Sequence, residues 1–320
     1  RMHSRIVGTG KYLPQRILTN FDLEKMVETS DDWIRTRTGI ERRHVAAEGE
    51  TTSDLAHNAA RAALEDARLR PEDIDLIIVG TTTPDLVFPN VGCLVQEKLG
   101  IPPGPAFSLE AACSGFVYAL CVADQFIRCG SSRRALVIGA ETMSRIIDWT
   151  DRETCVLFGD GAGAVVLERS DEPGIIYSNL GADGRYRDLL YAASGISAPR
   201  ADLSGGLLRM KGNEVFRVAV KTLENMVDEV VAANSLEKGQ IDWLIPHQAN
   251  IRIIQATAKR LQMPMERVVL TVREHGNTSA ASVPMALDTA IKDGRVKRGD
   301  LLLLEAFGGG FTWGASLVRY

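Results

Sequence analysis

The sequence lacks the features that mark membrane, secreted or nucleic-acid-binding proteins. Its 320 residues contain no apolar run of membrane-spanning length, and the start lacks the basic-then-apolar layout of a signal peptide. A formal net charge of −4 argues against general nucleic-acid binding, because phosphate contacts need a concentrated basic surface. We therefore expect a protein that binds neither nucleic acid nor a membrane.

Cysteine is scarce and shows no pairing pattern. The five cysteines are an odd number, contain no C-x-x-C motif and have no histidine at metal-ligand spacing. They are Cys93, Cys113, Cys121, Cys129 and Cys155. The sequence thus predicts free thiols in a cytoplasmic protein, without a metal site.

One of these cysteines lies in a distinctive stretch, residues 108–119, which reads S-L-E-A-A-C-S-G-F-V-Y-A. Small residues surround Cys113, and the chain continues to Gly130 with the apolar density of a buried helix. Unpaired N–H groups and the helix dipole at a helix N-terminus favour a thiolate, so we expect a pKa below that of a free cysteine. Cys113 is therefore a candidate nucleophile. The alternative is an inert buried thiol, a common role for a lone cysteine.

The second half of the chain repeats the order of the first. An amphipathic helix over about 52–67 leads into the strand at 74–83, and residues 72–77 are matched by residues 239–244 after a second helix over about 215–234. Cys113-Ser114 is matched by Asn277-Thr278, with isoleucine and glycine at the same distances downstream. This pattern predicts a duplicated α/β fold around a pseudo-twofold axis, divided into residues 1–172 and 173–320.

The duplication brings three separate residues into one hypothesis. Asn277 begins the counterpart of the Cys113 helix, and His247 follows the strand that matches the one ending before Thr81. If corresponding strand and helix ends face each other across the axis, the three side chains meet in one cleft. Taken singly, His247 could be a loop histidine and Asn277 an ordinary helix cap.

Three further segments carry expectations of their own. The glycines around residues 159–163 indicate a turn between two extended pieces, with close strand approach rather than a phosphate loop as their cause. Trp33 stands among arginines and could stack on a base, or it could be a partly buried tryptophan. Residues 181–206 are rich in small and polar residues and predict a long surface loop.

Four motifs carry a resemblance to a known family: E-A-A-C-S-G-F, I-P-H-Q-A-N-I-R-I, H-G-N-T-S-A-A-S-V-P and E-A-F-G-G-G-F-T-W-G. Together they resemble β-ketoacyl-acyl carrier protein synthase III, the condensing enzyme that initiates type II bacterial fatty-acid synthesis. The resemblance covers essentially the whole chain. It implies a thiolase-like, five-layer αβαβα fold with two mixed sheets, a homodimer, and Cys113, His247 and Asn277 as the catalytic set.

The resemblance also implies a reaction. The Cys113 thiolate would attack an acyl-CoA thioester, and malonyl-acyl carrier protein would then lose carbon dioxide and condense with the acyl-enzyme. His247 and Asn277 would donate hydrogen bonds to the enolate oxygen. The oxyanion at the acyl-Cys113 thioester would meet backbone N–H groups of Cys113 and Gly309, and Phe307 would shield the site from water. Acyl-CoA is then a substrate, and no cofactor is expected.

Binding residues are carried over from the same resemblance. Those implied for CoA are Thr29, Trp33, Arg37, Arg152, Asn213, Phe216 and Asn250. Those implied for the acidic carrier protein are Arg217, Arg252, Lys259 and Arg260, near the mouth of the tunnel. Phe88 would cross the dimer interface to close the partner's acyl pocket, or could instead be a core phenylalanine.

Other functions remain open at this point. A condensing enzyme or acyltransferase of secondary metabolism could use the same three residues, and Ser108, Glu110 and Lys211 depart from common family patterns. An inactive acyl-binding partner would not need the intact set. A cysteine hydrolase would release acid from acyl-CoA without a malonyl acceptor.

Overall fold

The first half of the chain forms a five-stranded mixed sheet in which three neighbouring strands are parallel. The computed structural model describes residues 2–193, 196–197 and 207–320. The strands are β1 (His3–Tyr12), β4 (Leu76–Gly80), β5 (Ala106–Leu109), β6 (Arg134–Thr142) and β7 (Asp160–Ser170). Their order is β1-β7-β6-β4-β5, with β4 parallel to both β5 and β6, and β7 antiparallel to β6 and β1. The continuous burial of β4 reflects helices on both faces of the sheet.

Four of the five helices described in the first half begin at a capping side chain, and the fifth, Gly115–Arg128, is the exception. They are α1 (Asn20–Glu24), α2 (Asp31–Thr38), α3 (Thr52–Ala67), α4 (Val91–Leu99) and α5 (Gly115–Arg128), and a small hairpin joins β2 (Arg16–Thr19) to β3 (Arg42–Val45). Thr51 and Asp54 form a capping box that starts α3. The expected helix over 52–67 is confirmed.

The second half builds a second mixed sheet. Its strands are β8 (Ile175–Ala182), β11 (Trp243–Pro246), β12 (Leu301–Gly308) and β13 (Thr312–Arg319), in the order β11-β12-β13-β8, and a separate pair joins β9 (Leu190–Ala192) to β10 (Leu208–Met210). The helices are α6 (Gly212–Ala233), α7 (Ile251–Arg260), α8 (Val272–His275) and α9 (Ser282–Lys292). The helix expected over 215–234 therefore starts three residues earlier and ends at Ala233.

The two sheets share one topology, as the internal repeat predicts. In the first sheet β1 pairs with β7, β7 with β6, and β6 with β4. In the second sheet β8 pairs with β13, β13 with β12, and β12 with β11. In both sheets the first two pairs are antiparallel and the third is parallel. A parallel bridge from Leu244 to Val268 continues the second sheet at the position that β5 holds in the first. The division at residue 172 stays a prediction; the two sheets are built from residues on either side of it.

Five layers result from the helices that cover these sheets. Helices α3 and α4 pack on the outer face of the first sheet, α5 and α9 lie between the sheets, and α6 packs on the outer face of the second sheet with α7 beside it. Three buried apolar clusters fill the spaces between the layers. The central helices α5 and α9 matter most for function, because the turns that precede them carry Cys113 and Asn277.

Two expectations about irregular segments need correction. Strand β7 is one uninterrupted strand rather than two extended pieces, and a short turn region precedes it. Its Gly163 is required by a helix and not by a strand, since a Cβ there would lie 2.7 Å from the backbone nitrogen of Met285 in α9. The expected loop at 181–206 contains β9 and short turns, and its residues 194–195 and 198–206 lie outside the described residues.

Within the described ranges, no helix is both long enough and apolar enough to cross a membrane.

Candidate active site

Cys113, His247 and Asn277 meet at one cavity of about 630 Å³. Cys113 lies in a short 3-10 turn (Ala112–Ser114) before α5, His247 directly follows β11, and Asn277 lies between α8 and the turn that precedes α9. Their exposed fractions are 7%, 7% and 8%. The structure thus brings together the three residues that the repeat had linked.

Backbone and side-chain hydrogen bonds fix the orientation of Asn277. Its N–H donates to the Leu157 carbonyl at 2.8 Å, and its own carbonyl accepts from the Gly159 N–H at 3.0 Å. The side-chain Oδ1 accepts from the Ser279 N–H at 2.8 Å. Because the oxygen is occupied in this way, the side-chain Nδ2 is the group left to donate toward the cavity.

His247 is held by its backbone and kept neutral by burial. Its N–H donates to the Glu305 carbonyl at 2.8 Å, and the next residue, Gln248, binds four backbone groups through its side-chain amide. Burial lowers the pKa of His247 to about 3, so the ring is neutral at physiological pH. Its Nδ1 is buried without a hydrogen-bond partner among the described residues, which leaves Nε2 as the nitrogen that can meet a substrate.

The expected low pKa of Cys113 is wrong for this arrangement. Burial raises the pKa of the thiol to about 12, and the side chains of Ser279 and Asn277 lower it only in part, while the carboxyls of Glu141 and Glu110 raise it. The desolvation of a thiolate at the base of a closed cavity outweighs the favourable helix end. Cys113 therefore rests as a neutral thiol, and its proton must leave when it reacts.

Three consecutive positions at the end of β12 shape the wall beside Cys113. A Cβ on Gly308 would lie 2.5 Å from the Cys113 backbone nitrogen, so only glycine fits there. A Cβ on Gly309 would instead lie 2.9 Å from the Leu190 carbonyl oxygen. Phe307 lines the cavity and packs on Phe311, with ring centroids 4.7 Å apart. The close backbone approach to Cys113 therefore belongs to Gly308, and the oxyanion role of Gly309 stays a prediction.

Most residues implied for CoA binding lie on the same cavity. Its lining includes Trp33, Arg37, Asn213, Phe216 and Asn250. Trp33 is 38% exposed and has the Arg37 guanidinium 5.1 Å from its ring centroid, so it is a partly buried tryptophan on the cavity wall, and its stacking on a base stays a prediction.

Two other implied CoA residues do not line the cavity. Arg152 donates to the Glu28 carbonyl at 3.2 Å, which ties it to the segment before α2. Thr29 has a buried Oγ1 without a partner among the described residues.

The basic residues implied for the carrier protein divide into two groups. Arg217 and Arg252 line the cavity, and the Arg252 guanidinium lies 5.9 Å from the Phe216 ring centroid. Lys259 and Arg260 lie in the last turn of α7, away from the cavity lining. Arg260 is also paired with Asp228 at 2.5 Å. Arg217 and Arg252 therefore lie on the cavity wall and Lys259 and Arg260 do not, and carrier-protein binding by the four residues stays a prediction.

Phe88 is not a core residue. Its side chain is 82% exposed in the single chain, and its neighbours Leu86 and Val87 are also exposed. Three adjacent exposed apolar residues form an unusual surface for a monomer. This excludes the core interpretation and leaves the interface hypothesis.

The departures at Ser108 and Glu110 have local structural roles. Ser108 Oγ accepts from the Val91 N–H at 3.0 Å, which ties β5 to the start of α4. Glu110 Oε2 accepts from the Ala112 N–H at 2.6 Å and so braces the turn that carries Cys113. Lys211 forms the N-cap of α6 without a side-chain capping bond, and nothing in the structure explains it further.

Sequence reasoning missed two buried acids near the catalytic residues. Glu141 ends β6 and lies close enough to Cys113 to affect its pKa. Glu305 lies in β12 and lines the cavity. The signal in the sequence was a charged residue inside an otherwise apolar strand. Burying such a residue costs free energy unless it is paired or functional.

Glu305 predicts a pH dependence of stability. Burial raises the pKa of its carboxyl to about 8, and Oε2 has no hydrogen-bond partner among the described residues. Because the folded chain then holds the proton more tightly than the unfolded chain, this stabilisation is complete below the unfolded pKa and is lost as pH rises toward 8. The Glu305→Gln variant should therefore lose less Tm than the wild type between pH 5 and pH 9. The corresponding difference in the free energy of unfolding is roughly a few kcal/mol.

Thermal unfolding of three proteins across that range checks this expectation. The control is Glu172→Gln at an exposed position, which should follow the wild type. Parallel Tm curves for the wild type and Glu305→Gln would contradict a protonated Glu305.

Comparisons with known proteins agree with this site and fold. Residues 107–184 match the family model described as 3-Oxoacyl-[acyl-carrier-protein (ACP)] synthase III, and residues 231–320 match that of its C terminal. A β-ketoacyl-[acyl-carrier-protein] synthase III from Alkalilimnicola ehrlichii is 65% identical over 99% of each chain.

Solved structures agree as well. The 3-oxoacyl-[acyl-carrier-protein] synthase III of Aquifex aeolicus VF5 is 51% identical with a TM-score of 0.94, covering 99% of this chain and 100% of that one. The priming β-ketosynthase from the R1128 polyketide biosynthetic pathway is 36% identical with a TM-score of 0.94, covering 99% and 96%. With its thiolase-like fold, the chain belongs to the 3-oxoacyl-[acyl-carrier-protein] synthase III family of acyltransferases.

Proposed function

We propose that this chain condenses a short acyl-CoA, such as acetyl-CoA, with malonyl-acyl carrier protein, releasing CoA and carbon dioxide and starting fatty-acid synthesis in the cytoplasm. One observation carries the proposal: a buried thiol, a neutral imidazole and an oriented amide share one cavity. A thiol can hold the acyl group, and two neutral donors can stabilise an enolate. The names of relatives at 65% and 51% identity support this assignment.

The first half-reaction transfers the acyl group to Cys113. The sulfur attacks the thioester carbonyl, and the CoA thiolate leaves. The cavity suits this substrate, because Trp33 and Arg37 at one part of the lining can hold the nucleotide while Asn213 and Asn250 can bind the pantetheine amides. Asn250 Oδ1 accepts from the Arg252 N–H at 2.8 Å, which leaves its amide nitrogen to donate.

The second half-reaction needs donors and not a base. Loss of carbon dioxide from the malonyl group leaves negative charge on the thioester oxygen, and Nδ2 of Asn277 and Nε2–H of His247 can each donate to it. A neutral His247 suits this role, since the same burial that lowers its pKa also strengthens its hydrogen bonds. The enolate carbon then attacks the acyl-Cys113 carbonyl, and the sulfur leaves.

The carrier protein and a second copy of the chain complete the proposal. Arg217 and Arg252 on the cavity lining suit an acidic carrier protein.

The exposed segment with Leu86, Val87 and Phe88 suits the interface of a homodimer. Sedimentation at micromolar concentration tests the homodimer, and a mass of 34.9 kDa would contradict it.

A reconstitution assay tests the reaction itself. The protein is incubated with a panel of acyl-CoA thioesters, its intact mass is measured, and malonyl-acyl carrier protein is then added. An acyl adduct that clears as β-ketoacyl-acyl carrier protein supports the proposal and identifies the primer.

The same assay separates the alternatives. Steady release of free acid without acceptor would mean a hydrolase. An adduct that transfers only to another acceptor would mean a condensing enzyme or acyltransferase of secondary metabolism. No adduct with any donor would favour an inactive acyl-binding partner.

A further inference from the structure

Cys113 requires a proton acceptor that the catalytic set does not provide. Burial raises the pKa of its thiol to about 12 and lowers that of His247 to about 3, so a proton transfer from Cys113 to His247 is strongly uphill. The nearby Asn277 is a donor and cannot accept a proton on its amide nitrogen. Another group must therefore receive the thiol proton when the sulfur attacks.

Glu141 is a buried carboxyl that can accept this proton. It is fully buried at the end of β6, and its Oε1 accepts from the Thr81 hydroxyl at 2.7 Å, the Thr82 N–H at 2.7 Å, and the Thr83 N–H and hydroxyl at 3.2 and 3.0 Å. Four donors thus occupy a single oxygen. The other oxygen, Oε2, has only a long contact of 3.5 Å from the Ala280 N–H.

This asymmetry gives the carboxyl one basic position. An oxygen that accepts four hydrogen bonds has no free lone pair for a proton, whereas Oε2 is available. Burial raises the pKa of Glu141, which makes Oε2 a better acceptor than an ordinary carboxylate. The Glu141 charge also acts on Cys113, raising the pKa of the thiol, so the two groups lie within electrostatic range.

Ser279 lies between them. The turn Ser279–Ala281 packs against both the turn that carries Cys113 and strand β6. The Ser279 side chain also lowers the pKa of both groups, although its buried Oγ has no hydrogen-bond partner among the described residues. Its backbone has φ of +53°, in the left-handed region that is unfavourable for a non-glycine residue. Backbone strain together with a buried hydroxyl that has no partner among the described residues is the kind of feature that function maintains.

We propose that Ser279 and Glu141 form a proton relay for Cys113. The Cys113 S–H bond breaks as the sulfur attacks the acyl-CoA carbonyl, the proton passes to Ser279 Oγ, and the Ser279 hydroxyl proton passes to Glu141 Oε2. The C–S bond to CoA then breaks, and its electron pair leaves with the CoA sulfur, which takes a proton from water. When the later condensation expels the Cys113 thiolate, the proton returns from Glu141 by the same route.

The relay closes the proton balance of the proposed function, on which it rests. One proton moves between Cys113 and Glu141 and back, and the single proton consumed per turnover is the one that CoA takes from solvent. In this relay Ser279 takes the proton from the reacting sulfur, whereas Glu141 acts through Ser279. A hydroxyl suits the middle position of the relay, because its oxygen can accept a proton on one lone pair while it donates its own hydrogen.

Alkylation of Cys113 by iodoacetamide tests the relay without any CoA substrate. The full-length protein is treated at neutral pH, and the Cys113 peptide is quantified by mass spectrometry. Glu141→Gln preserves the acceptor for the three threonines and removes the base, and Ser279→Ala removes the hydroxyl while keeping the N–H that binds Asn277. We expect each variant to slow alkylation of Cys113 and acylation by acetyl-CoA by roughly 10²-fold.

If Glu141 acted on Cys113 only through its charge, Glu141→Gln would change the alkylation rate in the opposite direction. Removing its charge would lower the pKa of Cys113 and speed alkylation, so a rate in Glu141→Gln at or above wild type overturns the relay. A wild-type rate in Ser279→Ala also overturns it. The double variant should be no slower than either single one, because two members of one relay act as a unit.

Two controls separate this outcome from misfolding and from failure of the proposed function. Ser114→Ala removes another buried hydroxyl beside Cys113, also without a hydrogen-bond partner in the part of the chain that the structure describes, and should leave the alkylation rate unchanged. The decarboxylation of malonyl-acyl carrier protein does not use the thiol, so it should survive in both relay variants if the cavity is intact. If Glu141→Gln does not fold, Ser279→Ala alone decides. If acetyl-CoA is not the primer, the alkylation rates still decide.

Discussion

Replacing Cys113 with serine abolishes the acyl-enzyme and lowers condensation by roughly 10⁴-fold or more, as the loss of a covalent nucleophile does elsewhere. A serine hydroxyl has a far higher pKa than a thiol, and the buried His247 is too weak a base to ionise it. The measurement is the intact mass of Cys113→Ser after incubation with the acyl-CoA that labels the wild type. The variant should show no mass increase.

The matched control is Cys121→Ser, in α5, the helix that follows Cys113. Cys121 is half-buried and does not line the cavity, so this variant should acylate as the wild type does. An acyl adduct that persists in Cys113→Ser and disappears in Cys121→Ser would show that Cys121, and not Cys113, is the nucleophile. Acid release by Cys113→Ser at the wild-type rate would equally contradict a Cys113 thioester.

The sequence was sufficient for the architecture because the architecture depends on local patterns. The 16 residues of α3 carry a capping box at one end and an apolar face throughout, and the structure has the helix at the expected bounds. The repeat was visible because two matched strands each precede a short functional turn, ending before Thr81 and His247. Such signals depend on spacing along the chain and need no knowledge of side-chain packing.

The details of the site depend on packing, and there the sequence was insufficient. Burial decides the pKa of Cys113, and burial results from walls supplied by both halves of the chain. The surroundings of Glu141 could not be predicted from its own strand, because the threonines that bind it follow a different strand. The pairing of Arg260 with Asp228 joins α7 to α6 and is equally invisible in either segment alone.

Asn277→Ala should separate the two half-reactions. The side-chain amide donates to the enolate oxygen only during decarboxylation, so its removal should lower malonyl decarboxylation by roughly 10²–10³-fold, the cost of losing one preorganised donor. Acyl transfer to Cys113 should remain, because that step needs the thiol and its proton acceptor. Carbon dioxide release from malonyl-acyl carrier protein and the Cys113 adduct are measured on the same preparation.

Asn277→Asp sharpens this prediction, since it preserves the oxygen that accepts from Ser279 and replaces the donor with a carboxylate oxygen. It should be at least as poor in decarboxylation as the alanine variant, because a negative charge would then face the developing enolate. Asn234→Ala, in which an asparagine that binds the Val230 carbonyl far along α6 is truncated, should leave both half-reactions unchanged. If Asn277→Ala lost acylation and kept decarboxylation, Asn277 would act on the thiol, and His247 alone would have to stabilise the enolate.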